Sequence, residues 1–261
     1  MPKKLLIKLP RKTYVAEVDR EVVLSEFEKH LVDDDKDFHS KYGIISKKDL
    51  NKKSGSVLKA GKEEFYLLEP SFLDLYKTLK RSAQIINLKD IATIIAHTGI
   101  TRESSVMDAG TGSGAFACFA AMIAKSVVSY DVEPDRTELG QKNACALGLT
   151  NVVFKKGDVY KAETVKEKDV DVFLLDVPEV WKGLKTAERT LKVGGYLVAY
   201  TPQIHQAQKV VLGLPKTFLH ECTIEVMERR WLVDELRLRP EMGDMLHTAF
   251  LTFARKLSGA T

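Results

Sequence analysis

Cysteine is scarce in this 261-residue chain, and its three copies, Cys118, Cys145 and Cys222, lie far apart. Their spacing contains no pair of the kind that binds structural zinc, so we expect buried thiols and no metal site. Long apolar stretches are also absent, and no run approaches the roughly 20 residues that cross a bilayer. The opening stretch, MPKKLLIKLPRK, has only a short apolar segment and lacks the cleavage site of a secretion signal. These absences predict a cytoplasmic protein without a membrane segment.

A strong excess of charge of one sign is missing too, because 40 lysines and arginines face 36 acidic residues and the formal net charge is +4. Such a balance is compatible with a polyanionic partner but does not require one. The lysines are nevertheless concentrated, since residues 41–62 carry seven lysines and one acid. A solvated loop and a nucleic-acid contact explain this cluster equally well. No internal repeat or low-complexity tract is present.

The pattern of apolar residues divides the chain in two. Residues 1–75 contain short apolar runs separated by charged or glycine-containing segments, which predicts a small β-rich domain followed by a helical pattern over residues 71–81. Residues 76–261 alternate strand and helix patterns, which is typical of an α/β fold with a largely parallel sheet. The seven strand candidates are SVMDA, SVVSYDV, NVVFKKG, DVFLLDV, YLVAYT, CTIEVME and TAFLTFAR, with helices predicted at 116–125, 136–147 and 181–191. The last two strands are predicted to be antiparallel.

A glycine-rich loop, DAGTGSGAF at residues 108–116, follows the first of these strands. Nicotinamide and flavin folds use the spacing G-x-G-x-x-G at this point, whereas here the spacing is G-x-G-x-G. Asp108 stands two residues before the first glycine and would repel a pyrophosphate. A cofactor that carries positive charge fits better, and S-adenosylmethionine has a sulfonium and an ammonium group.

Three further acids strengthen this interpretation, because each lies where a predicted strand ends. Asp131 ends the second strand, where doubly wound folds place a carboxylate on ribose hydroxyls. Asp158 follows the third strand, where a side chain can accept a hydrogen bond from an adenine amino group. Asp176 ends the fourth. One such acid is often only a helix cap, but four acids at successive strand ends, counting Asp108, favour a ligand site at this edge of the sheet.

The chain at this point resembles a class I methyltransferase, and more narrowly the archaeal and bacterial tRNA (adenine-N1)-methyltransferases. The resemblance is carried by DAGTGSGAF, VVSYDVEPDR, LLDVPEVW, LRPEMGDMLHTAFLTFARK and the segment LKRSAQIINLKD. It implies a Rossmann-like seven-stranded sheet with a small N-terminal β-rich domain, a homotetramer, and transfer of a methyl group to N1 of adenine 58, and in some archaea 57, in the T-loop of tRNA.

The resemblance also implies roles for particular residues. Asp176 becomes the catalytic residue at the reacting base. The residues expected to bind S-adenosylmethionine are Gln84, Asp108, Gly110, Thr111, Gly112, Ser113, Gly114, Ala115, Asp131, Val132, Asp158, Val159 and Asp176. Those expected at the substrate are Asn87, Pro178, Trp181, Arg239 and His247. For Trp181 and His247 a purely structural role is an open alternative, and for His247 we favour it.

Full-length tRNA needs a wide basic surface, and the candidates are Lys52, Lys53, Lys59, Lys62, Arg237 and Arg239. One departure from the family concerns the substrate. The family segment reads Gln-Val-x-Tyr-Pro-Lys-Asp, or has His for Tyr, whereas this chain has Asn87 and Leu88 in place of the ring and the proline. Three alternatives follow: Asn87 hydrogen-bonds the base, the target nucleotide differs, or activity is lost. The rival hypotheses are therefore a class I methyltransferase with another substrate and a non-catalytic tRNA-binding homologue.

Overall fold

The structure is a computed structural model, and it describes residues 3–15, 17, 19–81, 85–234, 237–243 and 247–258. The chain forms two compact units, Met1–Thr78 and Leu79–Thr261. Within the described residues, no helix combines the length and the apolar character needed to cross a membrane.

The first unit is mainly β-structure. Its strands β1 to β8 are Lys3–Lys8, Arg11–Val15, Arg20–Ser25, Glu28–Asp33, Phe38–Ser40, Gly43–Ile45, Val57–Ala60 and Glu63–Leu68, and its helices α1 and α2 are Lys47–Leu50 and Phe72–Tyr76. Four strands form an antiparallel sheet in the order β4-β1-β8-β7, while β2 and β3 form one hairpin and β5 and β6 another. Alternate residues of β8, Phe65 and Leu67, face a core that also contains Leu6, Ile45 and Leu50.

Helix α2 is shorter than the predicted span of residues 71–81. Ser71 and Asp74 form a capping box that fixes its start. At the other end the Thr78 hydroxyl donates to the carbonyl of Leu75 at 2.7 Å, and the backbone N–H of Thr78 donates to the same carbonyl. The helix ends at Tyr76, before the apolar pattern that predicts it is complete.

The second unit contains the large sheet. Its strands β9 to β17 are Ser105–Ala109, Ser126–Asp131, Val152–Lys156, Val170–Leu175, Leu191–Thr201, Phe218–Glu225, Trp231–Val233, Leu238–Pro240 and Phe250–Lys256. Its helices α3 to α7 are Leu88–Thr98, Ala115–Ala121, Pro134–Ala146, Leu184–Thr190 and Ile204–Gly213, with 3-10 turns at Ala162–Thr164 and Val180–Gly183. The sheet order is β11-β10-β9-β12-β13-β17-β14, while β15 and β16 form a separate hairpin.

The first five strands of this sheet are parallel, and β17 runs antiparallel to both of its neighbours. The predicted seven-stranded Rossmann-like sheet and the antiparallel pair at its end are therefore confirmed. The fully buried residues Met107, Phe173, Leu175, Leu197 and Ala199 lie at the centre of its core. A parallel sheet aligns the carboxyl ends of β9, β10, β11 and β12 along one edge, which is where the predicted acids lie.

Three expectations differ from the structure. Helices α3 and α7 were not predicted, because each shows only a few apolar residues on its buried side and α3 buries Asp90 there as well. Leu191 begins β13 rather than ending a helix. The expectation of buried thiols is right for Cys118 and wrong for Cys145, which is exposed, while Cys222 is half-buried.

Candidate active site

The glycine loop turns tightly between β9 and α4. Gly110 has a φ of +96°, and an added Cβ there would lie 1.9 Å from the carbonyl oxygen of Asp176. Only glycine allows this conformation together with so close an approach of two backbone segments. The two segments are fixed from both sides, since the amide of Gly110 donates to the carbonyl of Tyr130 and the amide of Asp176 donates to the carbonyl of Ala109, both at 2.8 Å. The loop therefore sets the position of Asp176.

Asp131 ends β10 and connects the loop to the next helix. Its carboxylate accepts hydrogen bonds from the amides of Gly112 at 3.3 Å and Glu133 at 3.0 Å. The guanidinium of Arg136, in the first turn of α5, lies 3.7 Å from the same carboxylate. Asp131 is almost completely buried. Its orientation is thus held by two backbone amides and one cation.

A cavity with a volume of about 380 Å³ lies over the carboxyl ends of the parallel strands. It brings together Gly110, Tyr130, Asp131, Val132, Glu133, Arg136, Gly157, Asp158, Val159, Tyr160, Asp176, Val177, Pro178 and Glu179. The carboxylate of Asp158 accepts from the amide of Tyr160 at 2.9 Å. Three of the four predicted acids therefore line one cavity.

A smaller cavity of about 30 Å³ lies at the glycine loop itself, lined by Ile85, Ile86, Asp108, Gly110, Thr111, Gly112, Ser113, Ala115, Phe116 and Asp176. The hydroxyl of Ser113 is buried and makes no hydrogen bond within the described part of the chain. Because a buried polar group without a partner is costly, this hydroxyl indicates a position for a ligand that accepts or donates a hydrogen bond.

A third cavity of about 310 Å³ also borders Asp176, and we call it the substrate-side cavity. It is lined by Gly110, Gly112, Arg136, Asp176, Val177, Pro178, Val180, Tyr200, Pro202 and Gln206. Asp176 lines all three cavities. A single carboxylate therefore reaches both the glycine-loop side and the substrate side of the site.

The electrostatics of the site are dominated by buried carboxylates. Burial, together with the negative charges of Asp176 and Asp131, raises the pKa of Asp108 to about 8, although a hydrogen bond from Ser129 acts in the opposite direction. Burial and the charge of Asp131 raise the pKa of Asp176 to about 7. Among the described residues that line the three cavities, the one cationic side chain is Arg136. The site is thus short of positive charge.

Two hydroxyls support Asp108 from behind the loop. Ser129 donates to the Asp108 carboxylate at 2.6 Å, and the Thr111 and Ser129 hydroxyls lie 2.7 Å apart. Since Ser129 uses its proton for Asp108, Thr111 is the donor to Ser129. The glycine loop is therefore linked by hydrogen bonds to the most deeply buried acid of the site.

Comparisons with known proteins agree with this geometry. The sequence profile of the family described as tRNA methyltransferase complex GCD14 subunit matches residues 65–245. The tRNA (adenine(57)-N(1)/adenine(58)-N(1))-methyltransferase TrmI of Methanocaldococcus jannaschii is 34% identical over 250 residues, covering 84% of this chain and 87% of the relative. The chain belongs to the tRNA (adenine-N1)-methyltransferase family.

Two solved structures share the fold across nearly the whole length. A SAM-dependent O-methyltransferase from Thermotoga maritima has a TM-score of 0.79 at 28% identity and covers 100% of this chain and 94% of its own. The tRNA (m1A58) methyltransferase TrmI of Aquifex aeolicus has a TM-score of 0.76 at 22% identity, and the match covers 98% of this chain and 97% of that chain. These likenesses confirm the class I methyltransferase fold.

Not every residue assigned through the family resemblance lies at the cavities. Gln84 is outside the described residues. Asn87 occupies the N-cap position of α3 with its carbonyl accepting from Asp90 and Ile91, and its side chain does not cap the helix. Trp181 packs against the core of the sheet with Lys209 over its ring at 4.6 Å. The role of Gln84 at the cofactor and the roles of Asn87 and Trp181 at a substrate stay predictions.

Two further members of that set also lie outside the cavity linings. Arg239 is exposed on strand β16 and donates to the carbonyl of Pro240. His247 contacts Glu225 and the carbonyl of Pro202 rather than the cavity itself. Pro178, in contrast, lines both large cavities.

The sequence reasoning missed several residues that the fold brings to the site. Arg136 lies five residues after Asp131 and lines both large cavities. Tyr200 nearly ends β13, so the rule that strand ends carry the site could have found it. Its phenol donates to Asp90 at 3.3 Å, and burial raises its pKa well above the ordinary value. Tyr160, which reaches the amide of Glu179 at 2.9 Å, follows Asp158 after one residue.

Proposed function

We propose that this chain transfers a methyl group from S-adenosylmethionine to N1 of an adenine in the T-loop of tRNA, at position 58 or 57. The observation that carries the proposal is the placement of Asp176, whose half-buried carboxylate lines both the glycine-loop cavities and the substrate-side cavity. Membership of the tRNA (adenine-N1)-methyltransferase family supports the choice of tRNA and of adenine.

The residues around the glycine loop fit S-adenosylmethionine. The buried Ser113 hydroxyl without a partner suits the amino-acid end of such a ligand. The carboxylates of Asp108, Asp131 and Asp176 face a single lining cation, so a ligand with positive charge compensates them. Asp131 would hold the ribose hydroxyls and Asp158 the adenine amino group, as their places at the ends of β10 and β11 suggest. A pyrophosphate cofactor would add negative charge to this surface.

When bound, S-adenosylmethionine supplies an activated methyl group on a sulfonium. The protein must then bring N1 of the adenine to within about 3 to 3.5 Å of that carbon and in line with the bond that breaks. The leaving group departs without charge, so the chain needs no general acid. N1 is normally engaged in a base pair, and the adenine must leave its stack before it can enter the substrate-side cavity.

Asp176 is the residue that acts on the base. As N1 is alkylated the ring gains positive charge, and a carboxylate that accepts a hydrogen bond from the exocyclic amine stabilises that charge. Because burial raises the pKa of Asp176 to about 7, the fraction of the ionised form increases as the pH rises through neutrality. We therefore expect kcat/KM for tRNA to have an acid limb near that value.

The substitution Asp176→Asn tests this role at constant shape. We expect kcat/KM to fall at least tenfold to a hundredfold, because the neutral amide cannot stabilise the developing charge. The acid limb should disappear as well. Steady-state methylation of tRNA between pH 5.5 and 9 measures both, with Glu138→Gln on the exposed face of α5 as the charge-removal control. Wild-type turnover by Asp176→Asn would reject the assignment.

The substrate is tested directly by incubating purified protein with unmodified tRNA and methyl-labelled S-adenosylmethionine, then digesting the tRNA and mapping the modified nucleoside. 1-Methyladenosine at position 57 or 58 supports the proposal. Label in metabolites or proteins of a cell extract but not in tRNA would favour a different class I methyltransferase. Failure to bind S-adenosylmethionine by calorimetry would favour a non-catalytic tRNA-binding homologue.

The same mapping resolves the role of Asn87. Its position at the start of α3, next to Ile85 and Ile86 of the small cavity, keeps it near the glycine loop. An Asn87→Tyr variant that restores the family ring and leaves the modified position unchanged would show that the asparagine does not select the nucleotide.

We further propose that the chain assembles into a homotetramer. Support comes from the hairpin of β15 and β16, where the apolar side chains of Trp231, Val233 and Leu238 are 54%, 72% and 78% exposed. Exposed apolar groups so close together are typical of protein–protein interfaces. Light scattering on the purified protein measures the assembly, and a monomer at all concentrations would contradict the proposal.

A further inference from the structure

Three strand ends are adjacent in the antiparallel half of the large sheet. Strand β13 ends at Thr201, β14 ends at Glu225, and β17 begins at Phe250. Tyr200 and Pro202, at the end of β13, line the substrate-side cavity. Contacts that tie the end of β13 to the other two ends therefore help to fix the wall of this cavity.

His247 connects all three ends. Its Nδ1 atom lies 2.5 Å from a carboxylate oxygen of Glu225, and its Nε2 atom lies 2.8 Å from the carbonyl oxygen of Pro202. Both partners are acceptors, so both ring nitrogens must carry protons for both hydrogen bonds to form. The imidazolium is thus the form that fits. The pKa of His247 is raised above its ordinary value by the Pro202 carbonyl first and by Glu225 second.

A second set of hydrogen bonds lies directly behind the first. The ammonium of Lys89 donates to the Asp90 carboxylate at 2.8 Å, and to the carbonyl of Val226 and the hydroxyl of Thr248 at 2.6 Å each. The Asp90 carboxylate in turn accepts from Thr248 at 2.6 Å and from Tyr200 at 3.3 Å. Asp90 is completely buried and the Lys89 side chain is 8% exposed.

The two sets engage consecutive residues at two of the strand ends. Glu225 and His247 belong to the outer set, whereas Val226 and Thr248 belong to the inner one. The inner set is buried and compact and uses all three protons of the Lys89 ammonium. The outer set is half-exposed and depends on the protonation of one imidazole. The outer set therefore contains an imidazole, the side chain whose ordinary titration lies nearest neutral pH.

We propose that His247, as an imidazolium, is a positioning residue that fixes Pro202 and with it the wall of the cavity that receives the target base. The charged groups that face the ring are Glu225, which favours the imidazolium, and Lys89, which opposes it. This inference rests on the proposed function. It predicts an alkaline limb of activity, because the hydrogen bond to Pro202 or to Glu225 breaks when the pH rises through the pKa of His247.

The experiment compares His247→Gln, Glu225→Gln and the control His205→Gln, an exposed histidine of α7. We expect His247→Gln to lower kcat/KM for tRNA on the order of tenfold, since a small displacement of a cavity wall misaligns the base. Its Kd for S-adenosylmethionine should stay within about twofold, because His247 does not line the cofactor cavities. Thermal denaturation of each variant shows that it is folded at the assay temperature.

The pH profile separates positioning from general stability. The wild type and His205→Gln should share one alkaline limb, His247→Gln should lack it, and Glu225→Gln should move it to lower pH because the neutral amide no longer stabilises the imidazolium. A His247→Gln variant with the wild-type rate and profile would overturn the proposal. The proposal would also be overturned if the alkaline limb of Glu225→Gln lay at the same pH as that of the wild type.

A second readout needs no methyl transfer. The chain has six histidines, so the ¹³Cε1 signal that disappears in His247→Gln identifies the residue in an NMR titration of the wild type. We expect this signal to keep the chemical shift of an imidazolium at pH values above 6.5, the ordinary pKa of histidine, and to titrate at a lower pH in Glu225→Gln. If the signal titrates at the ordinary pKa, the role of His247 is overturned whether or not tRNA is the substrate. If its pKa is raised but the protein is inactive on tRNA, only the proposed function is contradicted.

Discussion

The close approach of Gly110 to Asp176 offers a sharp test of how the glycine loop controls the reaction. In Gly110→Ala the new Cβ would lie 1.9 Å from the carbonyl oxygen of Asp176, whereas Cβ atoms do not approach closer than 3.0 Å. The two segments must therefore separate by at least 1.1 Å, the difference between these distances. Both are held in place by backbone hydrogen bonds of 2.8 Å, so the separation displaces Asp176 itself.

Two costs add in this variant. Alanine in a left-handed conformation costs about 1 to 2 kcal/mol, and forcing an extra carbon into packed structure costs about 1 to 3 kcal/mol more. A displacement of about 1 Å at a reacting group lowers the rate on the order of a hundredfold. We therefore expect Gly110→Ala to lose several kcal/mol of stability and to methylate tRNA at least a hundredfold more slowly.

The matched control is Gly148→Ala. Gly148 has a φ of +70°, and an added Cβ there meets no described atom within 4 Å. This variant carries the conformational cost of about 1 to 2 kcal/mol without the clash. Urea denaturation gives the two free energies of unfolding, and steady-state kinetics gives the two rates. If Gly110→Ala matched Gly148→Ala in both measurements, the reasoning that the loop positions Asp176 would be refuted.

Two further predictions concern charge. In the cofactor-free protein Asp108 has a pKa raised from 3.8 to about 8, so its burial lowers stability as the pH rises through that interval. The melting temperature of Asp108→Asn should therefore rise relative to that of the wild type between pH 5 and 9. The variant should also bind S-adenosylmethionine more weakly, whereas its affinity for the demethylated product, which lacks the sulfonium charge, should change less. A pH-independent difference in melting temperature would contradict this. Replacing Lys52, Lys53, Lys59 and Lys62 by alanine should weaken tRNA binding and reduce the slope of log Kd against log salt by about 0.9 for each phosphate that these lysines no longer neutralise. An unchanged slope in filter-binding measurements, with Lys142→Ala as control, would exclude these lysines from the tRNA surface.

Much of the fold could be predicted from local patterns. The central parallel strands β12 and β13 contain near-continuous apolar runs, as expected for strands covered on both faces, and all five parallel strands were located to within a few residues. Helices α3 and α7 were not predicted, because their buried sides contain few apolar residues. The early end of α2 was missed because the apolar pattern continues to Leu79, whereas the helix ends at Tyr76.

The residues of the active site were likewise predicted only in part. Asp108, Asp131, Asp158 and Asp176 could be found because parallel strands bring their carboxyl ends to one edge, so sequence order alone places these acids near one another. Arg136 was missed although it is near Asp131 in sequence, because nothing in a helical pattern tells which exposed arginine turns toward a cavity. His247 was found as a substrate candidate for which a structural role was favoured, but its partners could not be predicted, because Glu225 and Pro202 are 22 and 45 residues away in the sequence.

The amino-acid sequence by itself determined the α/β class and predicted a sulfonium-type cofactor, and the family resemblance added the prediction of a carboxylate at the reacting base. The first two depend on local backbone requirements of glycine, on the period of apolar residues and on the sign of the charge, all of which are contained in short stretches of chain. Only the tertiary structure decided that Asp176 reaches three cavities, that Asp108 and Asp176 are buried deeply enough to raise their pKa values, and that His247 joins three strand ends. Burial and packing depend on which distant segments come together, and no short stretch of sequence contains that information.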